Sequence, residues 1–157
     1  MGGEQNYPEL ERLKGKIREL RRSRRRGGRP RPHKLVLLLA VLDMAEDGLL
    51  GQNRIPFDDS MTTRFERYFD HYKQQDDRCH PSLPFFHLKT SGFWYHKVRT
   101  GKEAAYGRLG ASSVGSKDIL ETIEYAHLSD YALELVNRET TRRELRAFIE
   151  RLLETEG

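Results

Sequence analysis

The sequence predicts an α+β domain in which helices dominate, with about six helices and one short β-hairpin in a single compact domain. Three features carry this prediction. Apolar residues recur at helical spacing near both ends of the chain, as in Leu10, Leu13, Ile17 and Leu20. Residues 35–42 are apolar without a break, which marks a helix buried on every face. Residues 85–88 and 93–98 are rich in Phe, Trp, Tyr and Val and flank Lys89-Thr90-Ser91-Gly92, a short connection ending in glycine. Such residues favour a pleated surface, and the connection suits a hairpin turn. At 157 residues the chain is long enough for one domain with a real core.

In order, Pro8 suits the first turn of a helix over 8–25, with Lys14, Lys16, Arg18, Arg21 and Arg22 around its apolar stripe. Gly27-Gly28 ends it, and Arg29-Pro30-Arg31-Pro32 is extended because a residue before proline is pushed out of the α region. Residues 1–28 thus read as a basic helix and arm, and 29–157 as the helical core. A second helix spans 33–47 and stops at Asp47-Gly48; a short strand is expected at 54–57. Asp58 or Ser60 caps a third helix that runs to about residue 73, with Met61, Phe65, Tyr68, Phe69 and Tyr72 inward. After the hairpin, 102–108 makes a helical turn within a loop rich in Gly and Ser. Ser116 caps a helix over 116–126, and Ser129 caps the next. Thr140 or Thr141 with Glu144 resembles a capping box for the last helix, which reaches Leu153.

Net charge is only +4, yet twelve Lys/Arg and a single acid, Glu19, fall between Arg12 and Lys34. Segregated charge of this kind creates a local positive field and points to nucleic acid. The segment lacks the bulky aromatic face that would insert into an anionic membrane. No apolar run approaches the roughly 18 residues of a membrane span, and the N-terminus lacks the pattern of a secretory signal. Cys79 is the only cysteine, which fits a reducing compartment; a cytoplasmic protein is expected.

The six histidines raise the question of catalysis. None forms the pair four residues apart with an intervening Glu that a zinc hydrolase helix needs, and no GxSxG, Walker or Rossmann pattern appears. No catalytic residue, metal or cofactor is expected, and His71, His96 and His127 read as structural. Binding has better candidates. Arg29, Arg31, His33 and Lys34 sit where a loop opens a helix, so free backbone N–H groups add to the side-chain charge for a phosphate. The small residues of 110–116 permit close backbone approach, and Ser116 with Lys117 opens another helix. Arg78, Lys89, Arg108 and Ser112 are further candidates for DNA contact.

Pro32-His33-Lys34 before an aliphatic helix, then Pro81…Pro84-Phe85-Phe86-His87-Leu88, then Gly92-Phe93-Trp94, form an ordered set. It resembles the sulfur-binding domain of phosphorothioate-dependent (type IV) restriction endonucleases. Members of that family begin a long apolar helix with an HK pair, carry a YP-type dipeptide shortly before a PFW or PFF strand, and have a DG-W turn. The likeness covers residues 30–98. It implies binding of double-stranded DNA in which a sulfur replaces a non-bridging phosphate oxygen. The family's apolar sulfur pocket, edged by an aromatic residue and a proline, maps onto His80 and Pro81, with Leu83 beside them and Pro84 closing it. The sequence departs from the pattern in having His80 for the usual Tyr and Pro84 for a small residue. The family's basic residues beside the modified linkage match Arg31, His33 and Lys34. In full-length relatives a His-Asn-His nuclease domain makes the cut, so this chain is expected to be a separated module or a fragment that binds without cleaving.

Physical chemistry supports the same reading. Sulfur is larger and more polarizable than oxygen, accepts hydrogen bonds poorly, and loses less on leaving water. Proline rings, which offer only C–H, suit it, whereas a phosphate oxygen there would lose its water without compensation. Three alternatives compete: a general DNA- or RNA-binding module using the basic segment alone, a metal nuclease built on His33, His80 or His87, and a protein-interaction module using the aromatic hairpin.

Overall fold

Helix α1 (Tyr7–Glu19) turns Leu10, Leu13 and Ile17 into the core, as its spacing predicts. The computed structural model describes residues 7–20, 31–74, 77–110 and 114–155, so Arg21, Arg22 and the Gly27-Gly28 stop lie outside the described residues. Helix α2 (His33–Glu46) is the centre of the fold, with every residue from Leu35 to Leu42 buried. It packs against helix α3 (Asp59–Tyr72), and also against helices near the C-terminus, so water reaches no face of its middle. Asp58 caps α3 through a bond from the Met61 N–H at 3.1 Å, one of the two caps the sequence offered.

The segment expected to be the first hairpin strand is a helix. Ser82–His87 forms α4, followed by a 3₁₀ turn over Leu88–Thr90. Pro81 takes the N-cap position and Pro84 lies in the first turn, where a helix has no acceptor for their absent N–H groups. Strand β1 (Trp94–Val98) therefore has no hairpin partner upstream. Helix α5 (Glu103–Gly107) follows, close to the expected turn. Helix α6 (Ser116–Thr122) stops four residues before its expected end, and Ile123–Leu128 is strand β2, antiparallel to β1 with Trp94 opposite Leu128 and Tyr95 opposite His127. Ala126 and Leu128 are buried while Tyr125 and His127, which alternate with them, are only partly buried, so burial of one strand face outweighed helix propensity. Residues 54–57 contribute a single bridge, Ile55 with Ala126, rather than a strand.

Helices α7 (Asp130–Asn137) and α8 (Glu139–Thr155) complete the α+β architecture, giving eight α-helices among the described residues. Three expected caps are differently built. Gly115, not Ser116, precedes α6, and its N–H donates to the Asp118 carboxylate at 3.0 Å. Ser129 does precede α7, but its hydroxyl makes no capping bond. The last helix starts at Glu139, ahead of Thr140, and the Thr141 hydroxyl instead donates to the Leu135 carbonyl, tying α8 back to α7. A polar cluster joins α2, α3 and α8: Arg146 donates to Tyr68 and to Asp43, each at 2.9 Å, and Tyr68 donates to Asp43 at 2.7 Å. Burial and the Asp43 carboxylate push the Tyr68 hydroxyl up to about 12.

Candidate nucleic-acid interface

A cavity of about 540 Å³ opens between the end of α1, the entry to α2, residues 78–80 and α4. Arg31, His33, Lys34, Arg78, His80 and His87 supply its polar lining. Leu20, Leu35, Leu83 and Pro84 supply its apolar lining, and Thr90 closes one edge. Residues as far apart in sequence as Leu20 and Thr90 thus meet around one space.

The wall formed by 31–34 follows from Pro32, whose carbonyl accepts the Val36 N–H at 2.9 Å and starts α2. The helix itself offers no acceptor for the N–H groups of its first turn, a setting that favours an anion. Two contacts tie this wall to the next. The His33 Nε2 lies 2.8 Å from the Arg78 carbonyl oxygen, and Arg31 lies 3.6 Å from the Asp77 carboxylate. A carbonyl can only accept, so Nε2 of His33 carries the proton and, in the neutral ring, Nδ1 holds the lone pair. Burial lowers the pKa of His33, outweighing the Arg78 bond and the Asp77 carboxylate that raise it. Burial also lowers Lys34. His87 is lowered by burial first and then by the charges of Lys34 and Lys89. The cavity thus combines cations with two imidazoles, His33 and His87, that release their protons readily.

The third wall, α4, is fixed from behind. The Phe85 carbonyl accepts both the Trp94 indole N–H and the His96 Nε2–H, each at 2.9 Å. Because that bond fixes the proton on Nε2, Nδ1 of neutral His96 accepts from the Tyr106 hydroxyl at 2.7 Å. Burial is the largest influence on His96 and lowers its pKa. Phe85, Phe86, Trp94 and Tyr106 pack ring to ring around it. Leu83 and Pro84 on the front of α4 therefore rest on a hydrogen-bonded aromatic block.

Of the residues expected in a sulfur pocket, His80, Leu83 and Pro84 line this cavity. Pro81 does not; it caps α4 and its carbonyl accepts the Phe85 N–H at 3.2 Å. Of the expected phosphate contacts, Arg31, His33, Lys34 and Arg78 line the same cavity. The exposed Lys89 lies outside the lining, its ammonium 4.5 Å from the Phe86 ring centroid and 5.4 Å from that of Tyr106. Arg108 is exposed just after α5, and Ser116 and Lys117 are exposed at the start of α6. Lys117 sits 4.0 Å from Glu121. Arg29 and Ser112 lie outside the described residues. Leu20, Leu35, His87 and Thr90 line the cavity without having been singled out for it. His87 was within reach of sequence reasoning, because it stands four residues after Leu83 and shares its helix face.

No helix among the described residues is long and apolar enough to cross a membrane. Among the described residues no three His, Cys, Asp or Glu side chains converge as a metal site. Among curated proteins none matches the chain. The family model described as "ScoMcrA-like, DNA sulfur-binding domain" matches residues 10–154 of the 157, so the fold and the basic, part-apolar cavity described above lie within the matched region, and the chain belongs to that family of DNA sulfur-binding domains.

Proposed function

We propose that this chain reads phosphorothioate-modified DNA, with the sulfur of one backbone linkage entering the cavity against Leu83 and Pro84 while Arg31, Lys34 and Arg78 hold the phosphates beside it. The carrying observation is the mixed lining, apolar on α4 and cationic on the two facing walls, in a member of a DNA sulfur-binding family. The apolar part has no N–H to give: Pro84 lacks one and the Leu83 backbone N–H is already committed to the His80 carbonyl at 3.2 Å. An ordinary phosphate oxygen placed there would lose its water and gain no donor, at a cost of about 1–3 kcal/mol. A sulfur loses little, so discrimination comes as much from rejecting the common linkage as from attracting the modified one.

Raw affinity on this reading is electrostatic, from the cations of the cavity, and falls steeply with salt. The side chain of His80 completes the rim beside Pro81, in the place the family gives to an aromatic ring. The domain binds and an associated nuclease domain cuts, in the cytoplasm, where the exposed Cys79 thiol stays reduced. The test is a gel-shift or anisotropy titration on two duplexes identical except for a single sulfur at one linkage. A clear preference for the sulfur-bearing duplex is expected. Equal affinity would remove this reading and leave a general nucleic-acid module.

A further inference from the structure

The cavity does not stand alone on its face of the molecule. Leu20 lines it, and Lys16 and Arg12 precede Leu20 at intervals of four, so all three lie along one side of α1. Lys16 donates from its ammonium to the Gly92 carbonyl at 3.2 Å, two residues beyond Thr90, which also lines the cavity. Gly92 has φ +89°, a backbone conformation that favours glycine, and an added Cβ would stand 3.0 Å from the flexible Lys16 ammonium. The same carbonyl accepts the Tyr95 hydroxyl at 3.2 Å. From Tyr95 the surface continues over the outer side of the sheet: Tyr95 stacks on His127 at 5.6 Å, His127 meets Tyr125, and Arg54 lies over Tyr125 at 5.1 Å. The exposed Lys97 stands opposite Tyr125 in the strand register.

The cations on this strip rest on aromatic rings, as Arg18 does on Phe148 and Lys89 on Phe86 elsewhere. Arg12 lies 4.4 Å above the Tyr131 ring and Lys16 lies 5.7 Å from it, while Arg54 rests on Tyr125. None of the three forms an ion pair among the described residues. Lys14 on another side of α1 also lies 5.5 Å from an aromatic ring, that of Phe148, but is in addition paired with Glu11 and Glu144. An aromatic ring steadies a long basic side chain without neutralising it, so the N–H donors stay available and less rotamer entropy is lost when they meet an anion. A carboxylate partner would do the reverse.

We infer that this strip, from Lys16 and Arg12 across Tyr95 and His127 to Arg54, is a second DNA-contacting surface that follows the backbone of the duplex arm beside the modified linkage. The inference rests on the reading proposed for the cavity and extends it. Continuity with the cavity and charge complementarity select duplex DNA as the occupant. From Leu20 to Arg12 the helix covers about 12 Å, which equals the axial length of roughly three to four base pairs. The strip carries no base-reading role; it lengthens the footprint and adds affinity independent of sequence and of sulfur.

The test uses the full chain in anisotropy titrations against a long and a short duplex, each with and without the sulfur, over a range of salt concentrations. The long duplex has about 24 base pairs with the linkage at its centre, and the short one is cut back to about one base pair beyond the linkage on the arm the strip would follow. The short duplex is made in both orientations, so that each arm is removed in turn. The wild type should bind the longer duplex more tightly, with a steeper salt dependence. Arg12→Gln combined with Lys16→Gln should leave the short duplex unaffected and lower the salt slope on the long one by about two, at roughly 0.9 for each phosphate contact. Arg54→Gln, at a separate point of the strip, should lower it by about one. Thermal melting of each variant shows that the fold is kept. Equal binding of the two lengths by the wild type, or equal losses on both lengths in the variants, would overturn the inference. The sulfur preference on the short duplex is read separately, so loss of that preference with the length effect intact refutes the cavity reading and leaves the strip standing.

Discussion

Leu83→Asn tests the proposed source of discrimination at one side chain. Leu83 is half-buried in the first turn of the six-residue α4 and faces the cavity. Asparagine has similar size but carries an amide that can donate to an unmodified phosphate oxygen. The donor should recover the roughly 1–3 kcal/mol that the oxygen otherwise forfeits, which narrows the ratio of the two affinities by about five- to 150-fold. The narrowing should come from tighter binding of ordinary DNA, with sulfur-bearing DNA changing little. The cost to the fold is modest. Leu to Asn loses about 0.5 kcal/mol of helix propensity and, for a half-buried side chain, about 1 kcal/mol of apolar burial. Against a total stability of about 5–15 kcal/mol the variant stays folded, with melting lowered by about 3–6 °C. Competition anisotropy with paired duplexes reads the ratio, and a thermal scan reads the fold. An unchanged ratio in a variant that melts as expected would show that the apolar face of α4 does not discriminate.

Four further outcomes follow from the same geometry. Arg31→Ala and, separately, Lys34→Met should weaken binding to modified and unmodified duplexes by the same factor and lower the salt slope by about one each; a selective loss on one duplex would refute their assignment to phosphate. The folded pKa values of His33, His87 and His96 are all lowered, with burial as the main cause, so the unfolded chain takes up protons first as pH falls. Their contribution to stability is therefore complete above the unfolded value of about 6.5 and is lost as pH drops below it. Denaturant midpoints at successive pH values should decline there, and less so in His96→Gln; a rise would contradict the buried, neutral rings. DNA affinity should run the other way, increasing as pH falls toward 6, because phosphates favour protonated His33 and His87. Arg146→Met should cost about 1–3 kcal/mol by leaving part-buried Asp43 without its cation, with no effect on affinity, since Arg146 is not among the residues that line the cavity.

The parts of the fold readable from sequence were those specified by local chemistry. Eight consecutive apolar residues leave α2 no environment but the interior, and Asp58 with Met61 at the following turn defines the start of α3. Residues 82–87 misled because Phe85 and Phe86 have strand preference. Two prolines three apart, both in positions where a helix needs no N–H, were the contrary signal. The strand at Ile123–Leu128 depends on β1, some thirty residues away, and on the bridge to Ile55, neither of which a local window contains. The cavity was legible in its separate halves, Arg31 to Lys34 and His80 to Pro84. What joins them, the His33 bond to the Arg78 carbonyl and the Arg31–Asp77 pair, is tertiary. Leu20 and Leu35 read as ordinary core residues of their helices, so nothing local marked them as cavity lining.

The Phe85 carbonyl, shared between Trp94 and His96, has an implication for redesign. Since those anchors grip the main chain rather than the cavity-lining side chains of Leu83 and Pro84, positions 83 and 84 behave as an exchangeable faceplate bolted onto a fixed frame. Libraries confined to those two positions and to His80 can be screened for other chemical marks on the phosphate ester, with the frame untouched and the melting behaviour serving as an internal check.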